Sequence, residues 1–301
     1  MQDIIVVGAS AGGVEALQTV VAGFAADLKA AVFVVLHIGN GLHGRSHLPE
    51  ILMRAGPLPV SHPETAEEFC QGHIYIAPPD CHMTLGLGHL HVFRGPKENR
   101  SRPAINPLFR SAAEVYGSRV TGVILTGMLD DGVAGLAEIK RRGGIAIVQD
   151  PATALFPSMP AHALQQIDAD YIVTVPEVAE LVSKLATVER VATEREEPME
   201  KTLLHLTCPE CRGPLWEKRQ GRIVEYRCRV GHAYSALSLA REHEETVERT
   251  LWSAAVAIEE AVEIAEQLTP ELGDGAEEDI LKKRAQLKSI QKMLENTEPK
   301  G

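Results

Sequence analysis

Between Ile4 and about Val188, short aliphatic runs alternate with segments of helical period, and that alternation constrains the fold more than any other feature of the chain. The runs are Ile4–Val7, Ala31–Leu36, His73–Ala77, Val120–Thr126, Ile145–Gln149 and Tyr171–Val175. Segments Val14–Phe24, Leu108–Tyr116, Gly132–Arg142, Met159–Gln166 and Val178–Leu185 read as helices between them. Alternation of this kind predicts an α/β domain with a doubly wound, mainly parallel (Rossmann-like) sheet. His89–Phe93 is predicted as a further short strand, antiparallel to its neighbour.

At ~150 residues per domain, 301 residues suggest about two domains, and 45% apolar residues suffice for at least one sizeable core. Collagen-like, mucin-like and fully disordered chains are excluded. With 41 acidic against 30 basic residues the formal charge is −11, which disfavours general attraction to nucleic acid or an anionic membrane and leaves room only for a local basic patch. Residues 1–8 lack a basic n-region and a cleavage site, and no run reaches the ~18 apolar residues of a membrane span. A cytoplasmic protein with no direct membrane insertion is expected. Five cysteines are odd for a fully paired secreted framework, which agrees with a reducing compartment.

The chain changes character near residue 190. Residues 1–188 form the expected α/β domain, and the charge-rich Glu189–Lys201 reads as a linker. A small module is expected over residues 202–234, with a hairpin of Leu215–Lys218 and Ile223–Cys228 about Gln220-Gly221. Residues 235–301 read as a helical hairpin. Val247, Leu251, Ala254, Ile258, Val262 and Ala265 give its first helix, Ser235–Gln267, one apolar face. Pro270 and Gly273–Gly275 break that helix, and Ile280–Leu294 resumes the pattern. Self-packing is the simplest use of such a pair, and an exposed seam would serve self-association or the docking of a partner.

In an open parallel sheet, functional groups gather at the carboxyl ends of strands. Ser10 follows the first strand in Gly8-Ala9-Ser10-Ala11-Gly12-Gly13, His37 ends the second, and Val120–Thr126 runs into Gly127-Met128-Leu129-Asp130-Asp131-Gly132. A serine hydroxyl needs a base to take its proton and a carboxylate to orient that base. Ser10, His37 and Asp131 supply the three types, with Asp130 the rival carboxylate. The small residues around Ser10 permit a sharp turn, and the helix beginning near Val14 points N–H groups at developing negative charge. A dinucleotide loop fits less well: Ser10 stands at the second glycine of G-x-G-x-x-G, and His37 replaces the ribose-binding acid. Gly8–Gly12 also fits the nucleophile elbow G-x-S-x-G, but the serine lies too early and the histidine precedes the acid; His162, a late histidine, falls inside a predicted helix.

Cys208-Pro-Glu-Cys211 and Cys228-Arg-Val-Gly-His232 flank the predicted hairpin with the spacing of a Cys₃His zinc ribbon. The expected metal is a structural Zn²⁺ held by Cys208, Cys211, Cys228 and His232, with His205 the alternative fourth ligand. A redox role for the Cys-x-x-Cys pair lacks the surrounding strand–helix pattern of a thioredoxin-like domain. Cys70 and Cys81 read as packing or loop thiols, His43 and His47 as loop histidines, and His82 as a candidate lining of the cleft.

Over about residues 3–186 the chain resembles the catalytic domain of CheB-type chemotaxis protein-glutamate methylesterases. The resemblance rests on Gly8–Gly13, on His37, on Ile76-Ala77-Pro78-Pro79-Asp80-Cys81-His82-Met83, on Asn99-Arg100-Ser101-Arg102-Pro103 and on Leu125–Gly132. It implies Ser10 as nucleophile, His37 as general base and acid, and Asp131, directly before Gly132, as the orienting carboxylate. The N–H groups of Ala11 and Met128 would form the oxyanion hole, although position 11 commonly carries threonine in the family. Members hydrolyse glutamate γ-methyl esters on chemoreceptor helices, releasing methanol, and many deamidate specific glutamines there. The implied partner is therefore a methylated chemoreceptor or another glutamate-methylated protein, and acyl transfer to serine and then water needs no cofactor. Arg100 and Arg102 read equally as attractors of a glutamate-rich helix or as surface ion pairs. Typical members carry an N-terminal phospho-receiver domain, whereas this sequence opens on the first catalytic strand, so control by phosphorylation in cis is not expected. Two rival functions stay open: a non-catalytic scaffold binding a methylated or amidated receptor helix while the zinc module recruits a partner, and a general small-molecule carboxylesterase.

Overall fold

A computed structural model describes residues 3–37, 46–186, 199–272 and 276–295. In chain order the first part contains β1 (Asp3–Ala9), α1 (Gly13–Ala22), β2 (Ala30–Leu36), α2 (Leu48–Ala55), β3 (Val60–Ser61), β4 (Ile74–Ile76), β5 (His82–Leu85) and β6 (Leu90–Phe93). It continues with α3 (Ile105–Tyr116), β7 (Val120–Ile124), α4 (Val133–Arg141), β8 (Ile145–Gln149), α5 (Ser158–Gln166), β9 (Tyr171–Val173) and α6 (Val175–Leu185). Seven strands form one sheet in the order β3-β4-β2-β1-β7-β8-β9, every pairing parallel, while β5 and β6 form a separate antiparallel ribbon.

The central strands are apolar on both faces because both faces are covered. Along β1 and β2 the side chains alternate between two cores. Ile4, Val6, Phe33 and Val35 pack with α3, α4 and α5, and Ile5, Val7, Val32 and Val34 pack with α1, α2 and α6. Register aligns the strand ends: Ala9 lies beside Leu36, and Gly8 lies between Val35 and Ile124. The order reverses about β1, so the segments leaving β1, β2 and β7 open into one crevice, where such folds place their sites.

Beyond the gap in description come β10 (Met199–Thr207), β11 (Pro214–Gln220), β12 (Ile223–Cys228) and β13 (Ala233–Tyr234), an antiparallel sheet in that order. Met199–Lys201, expected as the end of the linker, are strand residues paired with Gln220, Arg219 and Lys218. Residues 189–198 of that expected linker, with His43 and Gly273–Gly275, lie outside the described residues. The helices are α7 (Ala236–Leu272) and α8 (Ala276–Glu295). α7 runs on through Pro270, where the sequence suggests a break.

By its contacts the chain divides into two compact units, Met1–Leu239 and Ala240–Gly301. The four-stranded sheet thus belongs to the same unit as the parallel sheet. In the second unit Ala255, Val262, Ile280 and Leu294 are buried and Arg284 pairs with Glu266, whereas Val247, expected on the apolar face, is exposed together with Trp252, Val256 and Ile264. Among the described residues no helix is long and apolar enough to cross a membrane.

Candidate active site and Cys/His cluster

Ser10 leaves β1 on a turn that is tied to the end of β7. Its N–H donates to the Thr126 carbonyl (3.0 Å), and the Thr126 hydroxyl donates to the Ala11 carbonyl (3.1 Å). Thr126 is outside its strand because its own N–H is taken by the buried Gln149 amide oxygen (2.8 Å), so β7 ends at Ile124 rather than at Thr126. Gly127 is required here: a Cβ would lie 2.9 Å from the Ser10 Cβ and closer still to Met159.

The three side chains singled out at strand ends meet in a line. His37 Nδ1 stands 3.1 Å from Ser10 Oγ, and its Nε2 stands 2.8 Å from Asp131 Oδ2. An ionised carboxylate can only accept, so Nε2 carries the ring proton and Nδ1 faces the serine as an acceptor. Asp131 is 2% exposed. Burial alone would raise its pKa, but the His37 side chain, the Ile105 N–H and the Asn99 amide donate to it and hold it below the ordinary carboxylate range.

The source of those donors is instructive. Asp131 Oδ2 accepts from the Ile105 N–H (2.6 Å) and Oδ1 from the Asn106 N–H (3.4 Å), the first two residues of α3. Ala104, at the N-cap of α3, offers no side-chain acceptor, and Asp131 fills that role from a distant loop while the helix dipole favours its charge. Gly132 follows at φ +95°, a conformation that lets the loop turn directly into α4. The fourth donor is Asn99 Nδ2, 3.0 Å from Oδ1. Sequence reasoning missed both Asn99 and the α3 N-terminus, and the only signal that could have found them was the Asn99–Pro103 motif.

Asp130, the rival carboxylate, accepts from Ser235 Oγ at 2.6 Å, and burial pushes its pKa up. Leu129, just before it, has φ +62°. His162 donates from Nδ1 toward the Leu129 and Ser158 carbonyls (3.1 and 2.7 Å). Ala11 and Met128 flank the Ser10 turn and the end of β7, and among the described residues neither N–H donates to a protein acceptor. Arg102 is engaged, donating to Asp80 (2.6 Å) and to the Gly95 carbonyl (2.6 Å), and Arg94 also pairs with Asp80. Arg100 is half-buried at φ +69°. His82 is 2% exposed and bonds the Pro96 carbonyl (2.9 Å), so it lies beneath the surface rather than lining a cleft.

A second cluster lies at the base of the antiparallel module. The ligand atoms of Cys208, Cys211, Cys228 and His232 all fall within 4.8 Å of one another, and His205 is not among them. Cys211 and Cys228 Sγ are 3.6 Å apart, and His232 Nδ1 is 3.7 Å from Cys208 Sγ and 3.6 Å from Cys228 Sγ. The edges of a tetrahedron with ordinary Zn–S and Zn–N bonds are about 3.5–3.8 Å, so the four residues fit a metal ion of that type.

Comparison with known proteins places the first part of the chain. The family model described as CheB methylesterase matches residues 5–182, and the four-stranded module and both C-terminal helices lie beyond it. A Leptospira interrogans protein is 37% identical over 184 residues, which are 61% of this chain and 94% of that one. A Methanosarcina mazei protein named protein-glutamate methylesterase/protein-glutamine glutaminase 2 is 34% identical over 193 residues, 62% of this chain and 52% of its own length. The crystal structure of the Thermotoga maritima CheB methylesterase catalytic domain matches with TM-score 0.58 and 32% identity, covering 62% of this chain and 99% of that one. With the match extending over more than half of its length, this chain belongs to the CheB methylesterase family.

Proposed function

We propose that this chain is a protein-glutamate methylesterase that removes methyl esters from glutamate side chains of a chemoreceptor-like protein, with glutamine deamidation at the same centre. The observation that carries the reading is the hydrogen-bonded line from Ser10 through His37 to Asp131. Ser10 Oγ attacks the ester carbonyl as His37 Nδ1 takes its proton. The oxyanion that forms is met by the N–H groups of Ala11 and Met128. His37 then returns the proton to the departing methoxide, and methanol leaves an acyl-serine. Water, deprotonated by the same nitrogen, cleaves that acyl-serine to glutamate. With glutamine as substrate the first leaving group is ammonia. Asp131 stays ionised throughout and stabilises the imidazolium.

Arg100 and Arg102 are the candidates for drawing in an acidic receptor helix. Arg102 would do so while sharing a guanidinium already held by Asp80 and Gly95. In the module, Cys208, Cys211, Cys228 and His232 would hold a structural zinc that fixes the two turns on which they stand; four protein ligands leave no open position for chemistry. Exposed Trp252, Val256 and Ile264 support a self-association role for the C-terminal helices.

The test is methanol release from a methylated chemoreceptor by the wild-type protein and by Ser10→Ala. Release by the wild type alone is expected. Release by neither, with receptor binding retained, would favour the scaffold reading, and fast turnover of simple aryl esters without methanol release would favour a small-molecule esterase.

A further inference from the structure

The N-terminal catalytic region and the Cys/His module meet at Lys97–Arg100. Glu98 forms a parallel bridge with Ala233, the Ala233 N–H donates to the Lys97 carbonyl (3.3 Å), and the Asn99 N–H donates to the Ala233 carbonyl (2.8 Å). Glu98, 8% exposed, is held between Arg110 of α3 and Arg227 of β12. The main-chain bond to Ala233, rather than the ion pairs of Glu98, holds the backbone of Asn99 at φ +46°, a conformation that asparagine tolerates better than most residues.

Asn99 then connects two sets of groups. Its Nδ2 donates to Asp131 Oδ1 (3.0 Å), and its Oδ1 accepts from the Ser235 N–H (2.7 Å) and the Ser238 hydroxyl (2.8 Å). Asn99 is 6% and Ser238 0% exposed, and Ser235 beside them is half-buried. A carboxamide is two-sided. If it turned over, its oxygen would face the Asp131 carboxylate and its NH₂ would face the Ser235 N–H, so the bonds to Asp131 and to Ser235 would be lost, and the Ser238 hydroxyl would have to send its hydrogen to the Ser235 carbonyl (3.3 Å) in order to accept instead. The donors on Ser235 and Ser238 therefore reinforce the orientation that brings the NH₂ of Asn99 to Asp131.

We propose that Asn99 is a positioning residue for Asp131, and that Ser235 and Ser238, on the segment immediately after the Cys228–His232 turn, set Asn99 for that task. Both serines lie beyond residue 182, where the family match ends. The catalytic triad is thus completed in its outer support by the appended module. The inference rests on the reading of Ser10, His37 and Asp131 as a triad, and it does not depend on which ester the triad cleaves.

The test uses the full chain and the variants Asn99→Ala, Ser238→Ala, their double mutant and Arg227→Gln. Methanol release from a methylated chemoreceptor and acylation of Ser10 by p-nitrophenyl acetate are followed together. A hydrogen bond to a charged group is worth enough to predict a loss in kcat of about 30-fold for Asn99→Ala, and about tenfold for Ser238→Ala, with KM unchanged. The double mutant should be no slower than Asn99→Ala, because Ser238 acts through Asn99. Arg227→Gln, which loosens the seam at Glu98 without touching Asn99, should change kcat by less than about twofold. Multiplicative losses in the double mutant, an unchanged kcat in Ser238→Ala, or an equal loss in Arg227→Gln would overturn the proposal.

A spectroscopic readout is independent of turnover. The proton between His37 Nε2 and Asp131 should give a downfield NMR resonance that shifts or broadens in Asn99→Ala and in Ser238→Ala. An unmoved resonance would overturn the proposal even with a fully active enzyme. Absence of methanol release by the wild type, with the pattern in aryl-ester acylation and NMR intact, would remove the methylesterase reading and uphold this one.

Discussion

The parallel sheet and the Cys/His module are held together by different means, although they share one compact unit. In the sheet, two apolar cores pack against opposite faces and their central side chains, such as Phe33 and Ile4, are 0% exposed. In the module the apolar cluster consists of Cys208, Leu215, Cys228, Tyr234 and Leu239, two of them proposed metal ligands, and β10 is exposed along nearly its whole length. An apolar core stabilises in proportion to the area it removes from water, whereas a small sheet without one depends on crosslinks. The difference teaches that chemistry and its support can have separate sensitivities in one chain: the proposed triad stands on the part with two apolar cores, and its proposed support comes from the part with the smaller one.

The strongest way to break this comparison acts on the chemistry alone. Ser10→Ala should lower methanol release on the order of 10⁴-fold or more and leave thermal unfolding and metal content unchanged, as measured by calorimetry and metal analysis. A variant that also lost metal would show the site and the module to be inseparable.

Core truncation should affect only the sheet. Phe33 packs on Phe69 and Tyr75, and Phe33→Ala should cost about 3–5 kcal/mol in denaturant unfolding whether or not a chelator is present. Equal sensitivity of wild type and Phe33→Ala to chelation would sharpen the contrast. A destabilisation that appears only after metal removal would erase it.

Chelation acts on the other side. Removal of the proposed zinc, followed by a metallochromic dye, should expose β10–β13 to proteolysis and lower kcat by no more than about 30-fold, since the segment after the module meets Asp131 itself only through the Asn99 amide, its Ser235 hydroxyl bonding the neighbouring Asp130 instead. Total loss of activity at matched zinc release would mean that the module contributes more than support.

The smallest effects concern the adjacent carboxyls. The folded pKa of Asp131 lies below its unfolded value, so it contributes stability that is fully present above the unfolded pKa of about 4 and lost as pH falls through the folded value. Asp130 is raised by burial, so its charge opposes folding at neutral pH and the penalty is relieved as pH falls through its folded pKa. Asp130→Asn should therefore raise the unfolding temperature slightly at pH 7 and not at pH 3, whereas Asp131→Asn should lower it at pH 7 and lose activity.

Much of this was legible in the sequence because the signals were local. The strands of the parallel sheet announce themselves as aliphatic runs, the Gln220-Gly221 turn as a hairpin, and the two Cys/His knuckles by spacing. β10 was not legible: with both faces exposed it has no apolar alternation, and it is a strand only because Pro214–Gln220 lies alongside. α2 is eight residues long with a proline in its first turn, too short for a periodic signal. The choice between Asp130 and Asp131 also lay beyond residue-type reasoning, since the two carboxyls are neighbours with the same chemistry.

What the sequence by itself determined is the fold class, the three residue types at three strand ends and the four Cys and His side chains that cluster in the module, because periodicity and spacing are properties of the chain taken a few residues at a time. Only the tertiary structure decided that Asp131, the carboxylate the family resemblance had already singled out, caps α3, and that Asn99 and two serines from the far end of the same unit stand behind it. Asp131 and Ser238 are far apart in the sequence, and contacts between such residues carry no local signature; they are fixed when the two layers close and every buried polar atom must find a partner.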